Sequence, residues 1–168
     1  EGIVLEGNNT SLLPKVVLQE NSTISHATVA INSFQGGRIM AFKANFLNNR
    51  KSVNMSDYRN PTLSFFTECL FDCTTKLRDA VWKSDLINNV AEEVLIDHHF
   101  INLLSSQNHI EIDEVRGPTF SGCNFKCTFN NNPIIHVIST NAQVNFLKNC
   151  TFENYFIAIR GKNTMPGK

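Results

Sequence analysis

The chain has 168 residues, 42% of them hydrophobic and 18% charged, with a formal net charge of zero. That is enough for one domain with its own core and too apolar for a disordered segment. A neutral balance lacks the basic patch of a nucleic-acid binder and gives no pull toward an anionic membrane, and no apolar run approaches the roughly 18 residues of a membrane span.

From the N-terminus, turn formers (Gly2, Gly7, Asn8, Asn9, Pro14) surround the short run Ile3-Val4-Leu5. Val16-Val17-Leu18 reads as a strand, followed by Asn21-Ser22-Thr23-Ile24-Ser25-His26 and a strand at Thr28–Ile31. Gln35-Gly36-Gly37 is a turn. Arg38–Phe42 starts a strand that leads to Ala44-Asn45-Phe46-Leu47-Asn48, and Ser52–Met55 is strand again. Tyr58–Pro61 turns the chain toward Cys69-Leu70-Phe71-Asp72-Cys73. Ile110–Val115 alternates apolar and acidic residues, as a strand with one buried face does. Arg116-Gly117-Pro118 turns into Cys123-Asn124-Phe125-Lys126-Cys127, Asn130–Pro133 makes a corner, and Ile134–Ile138 is a strand. The last copy of the pattern is Cys150-Thr151-Phe152-Glu153-Asn154.

Five copies of one short pattern thus recur, centred on Ile24, Phe46, Phe71, Phe125 and Phe152 at intervals of 22, 25, 54 and 27 residues. A period in the twenties is the mark of a repeat architecture. Short strands between Asn or Gly corners, with a Phe in register, point to an all-β parallel β-helix with coils of about 22–27 residues. The 22 asparagines fit its many tight corners. The whole chain, 1–168, reads as a single β-helix domain excised from a longer polypeptide. The five central residues are expected to point inward as one column, with Cys69, Cys123 and Cys150 forming a second structural ladder. Cys69 and Cys73, like Cys123 and Cys127, are four residues apart, about 13 Å along a strand and beyond the roughly 7 Å Cα separation a disulfide tolerates. All five cysteines are expected to be free thiols. The CxxxC spacing does not match a zinc ribbon, and neither a metal nor a cofactor is expected.

Residues 75–108 interrupt the rhythm and read as an irregular coil or an insertion. Apolar residues at 82, 86, 90 and 94 have helical spacing. Because 54 is twice 27, the favoured expectation is a full degenerate coil. Leu95-Ile96 and Phe100–Leu104 would supply its inward faces and Ile110–Val115 would complete it. Cys69 and Cys123 would then lie about 9.6 Å apart, two strand spacings.

Gly2–Asn8, Asn21–Ala27, Gly36–Ile39, Phe46–Arg50 and Phe120–Phe125 together resemble the β-helix segment of large secreted Bacteroidetes surface proteins, which implies a right-handed parallel β-helix. Those proteins commonly end in a type IX secretion sorting domain. The resemblance implies export and a secreted or cell-surface location, and it brings no catalytic residue. The expected role is a non-catalytic rigid spacer or adhesin. The alternative is a pectate-lyase-like domain that binds or cleaves polysaccharide. The expected partner is a polysaccharide or cell-surface glycan, and nothing in the chain specifies an oligomeric state. Ligand contacts are expected at Trp82, on the irregular stretch, and at Asp113, Glu114 and Arg116, with Asp57, Arg59 and Glu111 as further outward charges. Paired carboxylates about 5–10 Å apart are what glycoside hydrolysis needs. Asp97-His98-His99 suggests a metal fragment but lacks a third ligand.

Overall fold

The computed structural model describes residues 2–8, 13–75, 107–129, 134–155 and 157–163. Every strand is short because a corner follows within three to seven residues, and every strand pair is parallel because the chain always returns in the same direction. The result is a parallel β-solenoid of five coils, with a strand of a sixth. One sheet stacks β1 (Ile3–Glu6), β4 (Val29–Phe34), β7 (Lys51–Ser56), β10 (Gln107–Asp113), β13 (Ile134–Thr140) and β16 (Ile157–Lys162). A second stacks β2 (Lys15–Leu18), β5 (Arg38–Phe42), β8 (Phe65–Thr67), β11 (Arg116–Ser121) and β14 (Gln143–Phe146). The third stacks β3 (Thr23–Ser25), β6 (Asn45–Leu47), β9 (Leu70–Asp72), β12 (Asn124–Lys126) and β15 (Thr151–Glu153). We call them sheets A, B and C. No helix occurs among the described residues.

The corners explain the asparagines. Among the described residues, eleven non-glycine residues have positive φ, and five of them (Asn21, Asn48, Asn141, Asn149 and Asn154) are asparagine, the side chain that tolerates this conformation best. Lys43, Glu68 and Glu114 adopt it too, at φ between 48° and 53°. Such strain costs about 1 kcal/mol or more per residue. It is offset because each corner N–H then reaches the next coil: Lys43 donates to the Thr67 carbonyl at 2.9 Å, Glu68 to Ser121 at 2.8 Å and Glu114 to Thr140 at 3.0 Å.

The interior is a set of ladders. Register pairs Ile24 with Phe46, Phe46 with Phe71, Phe71 with Phe125 and Phe125 with Phe152. The four phenyl rings stack face to face at 4.8, 4.8 and 4.9 Å. On sheet B, Phe66, Phe120 and Phe146 form a parallel stack at 4.7 and 5.4 Å. The two stacks meet edge to face, as at Phe71–Phe120. Each buried ring contributes roughly 1.5–3 kcal/mol by burial and each aromatic pair about 0.5–1.5 kcal/mol more. Sheet A closes the core with Ile31, Val53, Ile110 and Val137, all fully buried in one column.

The pairing corrects the expectation for the 54-residue interval. Phe71 is the direct neighbour of Phe125, and β7 the direct neighbour of β10. No coil lies between them. The interval is one coil plus an excursion, so Cys69 and Cys123 belong to adjacent coils, and Ile110–Asp113 opens a new coil rather than completing a degenerate one. Leu95–Leu104, the helical spacing at 82–94 and the Asp97-His98-His99 fragment lie outside the described residues.

Candidate functional site

Direct stacking of the third and fourth coils brings together charges far apart in sequence. β7 ends at Ser56 and β10 at Asp113, and these two residues are register partners. The corner residues that follow, Asp57 and Glu114, both have positive φ, and the Asp57 N–H donates to the Asp113 carbonyl at 3.2 Å. Arg59, two residues past the corner, reaches across to Glu114: Nη2 and Nε donate to Oε2 at 2.8 and 3.1 Å. On the same outer face of sheet A, Lys51 pairs with Glu111 at 2.7 Å, and Asn54 donates to Asn32 at 2.8 Å in an amide ladder. Of the four acids here, Glu111 and Glu114 have cationic partners in these pairs, and Asp57 and Asp113 do not. Partial desolvation, then the carboxylates of Glu114, Asp57 and Glu111, raise the pKa of Asp113 from its ordinary value. The corner can therefore hold a proton on Asp113 more readily than an isolated Asp would, beside the Glu114 carboxylate that Arg59 bonds.

Asp113 and Glu114 thus lie at this corner. Arg116 starts β11 with an exposed side chain, and its carbonyl accepts the Thr62 N–H at 2.8 Å. Trp82 lies outside the described residues. Cys69 and Cys123 are buried in neighbouring coils and Cys150 is half-buried. All five thiols are free. Among the described residues, no group of three or more His, Cys, Asp or Glu side chains is placed to hold a metal ion.

A second polar cluster is internal and was not singled out from the sequence. His109 and His136 point into the core from β10 and β13, fully buried, their rings stacked at 5.0 Å and nearly parallel. Each ring bonds a backbone carbonyl through Nε2 at 3.0 Å: His109 to Lys126 and His136 to Glu153. Nε2 is therefore the protonated nitrogen of the neutral rings. Nδ1 of both, and the Oγ of Ser52 one coil earlier in the same column, are buried without a hydrogen-bond partner. Burial, and the second imidazole, push the His109 pKa down to about 3. Burial pushes His136 down to about 4, against the pull of the Glu153 carbonyl and Asp72. The available signal was the spacing: 109 to 136 is 27 residues, the same step as Phe125 to Phe152.

No known protein family matches the chain, nor does any curated protein or solved structure.

Proposed function

We propose that this chain is a non-catalytic extracellular or cell-surface module, a rigid spacer or adhesin built as a β-solenoid. The observation that carries the reading is the inward column of sheet C, Ile24, Phe46, Phe71, Phe125 and Phe152, which stays in register over five coils. Such stacking resists bending, as a spacer must. The outward charges support the same reading. Glu111 and Glu114 are tied to Lys51 and Arg59 on the neighbouring coil, so they serve to hold coils together. The resemblance to secreted Bacteroidetes surface proteins supports export through a type IX sorting domain on the parent chain, with a polysaccharide or surface glycan as partner.

One observation favours the alternative, a carbohydrate-active domain: the raised pKa of Asp113 beside Asp57 and Glu114. Acid–base attack on a glycosidic bond uses a carboxyl of raised pKa together with a second carboxyl. The purified protein, assayed against a polysaccharide panel for new chain ends and on a glycan array for binding, separates the two. Absence of cleavage, with or without binding, is expected. Cleavage that Asp113→Asn abolishes would replace the spacer reading with the enzymatic one.

A further inference from the structure

The five cysteines fall into two columns that differ in backbone geometry. Cys69, Cys123 and Cys150 continue the parallel ladder. Asn124 N–H donates to the Cys69 carbonyl and Thr151 N–H to the Cys123 carbonyl, both at 2.9 Å, so the offset is one residue at each step. Their thiols bond backbone carbonyls, Cys69 with Thr67, Cys123 with Phe66 and Cys150 with Phe120, as the Cys127 thiol also does with Phe129 at 3.1 Å, so it is the regular one-residue offset that keeps these three side chains parallel. Side chains held parallel in this way do not present the roughly 90° dihedral of a disulfide.

Cys73 and Cys127 are placed differently. They follow the register partners Asp72 and Lys126, so they too occupy adjacent coils, about 4.8 Å apart and inside the Cα range a disulfide spans. Here the ladder slips. Phe129, not Thr128, donates to the Cys73 carbonyl at 2.8 Å, while the Thr128 N–H turns to the Asp72 carboxylate at 3.1 Å. The equivalent corner residues His26, Asn48 and Asn154 have positive φ, and the two cysteines do not. The slip frees the two Cβ directions from the parallel constraint. Both thiols are buried and pack as a pair separate from the main core, and each is followed by an exposed threonine, Thr74 or Thr128.

We propose that Cys73 and Cys127 are a redox modification site: the one cysteine pair of the five that closes to a disulfide, clasping the third coil to the fourth at the point where the excursion leaves. The oxidant is a small-molecule disulfide such as oxidised glutathione. The Cys127 thiolate attacks one of its sulfurs, forming a mixed disulfide and expelling one glutathione thiolate. Cys73, deprotonated in turn, attacks the Cys127 sulfur and expels the second. Two S–H protons leave the protein and two electrons pass to the oxidant, which ends as two thiols. Cys127 is the attacking sulfur because the hydrogen bond from Cys73 holds its pKa down. Donating that bond, together with burial and the nearby Asp72 carboxylate, holds Cys73 up. Reaction is therefore slow at neutral pH and faster in mild alkali. The inference rests on the corner geometry and not on the spacer reading.

The test uses the full chain, reduced and then incubated with oxidised glutathione at mildly alkaline pH. Thiol titration after denaturation is expected to fall from five to three, with a peptide map joining Cys73 to Cys127. Closing a 54-residue interval is expected to raise the melting temperature by about 10 °C. Cys127→Ala, and separately Cys73→Ser, should each keep all remaining thiols free under the same treatment. Cys150→Ala should leave the clasp intact. Five free thiols after an exposure that oxidises the denatured chain, or a link within Cys69, Cys123 and Cys150, would overturn the proposal. If both variants at the clasp fail to fold, the peptide map of the unaltered protein still decides it.

Discussion

Two columns of rings run side by side through one interior, and they obey opposite energetics. The Phe column of sheet C and the His109–His136 stack of sheet A lie 6.0 to 6.4 Å apart, ring to ring. Both are produced by the same repeat, which places equivalent residues in adjacent coils. In the Phe column every atom removed from water is apolar, so each further coil adds stability. In the His column each ring carries one satisfied nitrogen and one buried lone pair without a donor, and Ser52 adds a third unpartnered atom. Stacking gives shape complementarity in both columns, but polar satisfaction in neither is guaranteed by the repeat. The lesson is that a solenoid's period sets who neighbours whom and leaves the sign of each contact to the side chains.

Acid should separate the two columns most strongly. His109 and His136 are neutral in the folded protein down to about pH 3 and 4, whereas an unfolded histidine takes a proton near 6.5. Below about pH 6.5 the unfolded state therefore binds more protons, and stability falls as pH falls. The loss runs at roughly 2.7 kcal/mol per pH unit while both sites differ, on the order of 5 kcal/mol between pH 6 and 4. It levels off once the folded rings also protonate. Denaturant unfolding at a series of pH values measures the slope. Replacing both rings, His109→Phe with His136→Phe, should flatten it, and an unchanged slope would assign the acid sensitivity elsewhere.

Within the Phe column the effect should depend on position. Phe71 is fully buried between Phe46 and Phe125, and Phe71→Ala is expected to cost about 3–5 kcal/mol. Phe152 stacks on one side only and is half-buried, so Phe152→Ala should cost less than half as much. Equal losses at the two sites, by chemical denaturation, would contradict the ladder as the source of stability.

The smallest effect sharpens the contrast by its sign. Ser52→Ala removes a buried hydroxyl that has no partner and leaves its apolar neighbours in place. It is expected to be neutral or stabilising by up to about 1 kcal/mol. A loss of more than that would mean Ser52 makes a hydrogen bond the folded chain depends on.

Much of the fold was legible because its causes are local. Phe46 and Phe71, and again Phe125 and Phe152, recur at one coil period and turn inward in any parallel stack. Asn48, Asn141 and Asn154 announce corners because their side chains tolerate positive φ. The acidic corner was legible only in fragments. Asp113, Glu114 and Arg59 were each visible as outward charges, but the favoured extra coil would have placed Arg59 and Glu114 two coils apart, when they are in fact hydrogen-bonded.

What the sequence determined by itself, then, is the coil: strand, corner and inward apolar residue, each decided by propensity and burial over a few positions. Only the tertiary structure decided which coils touch across the 54 residues from Phe71 to Phe125. Two periods of chain accommodate either a coil or an excursion, and local preference is indifferent between them. Strand pairing is not, because β9 has one edge to offer and β12 occupies it. From that single pairing follow the Arg59–Glu114 bond and the apposition of Cys73 with Cys127. The His109–His136 stack follows from the next pairing, β10 with β13.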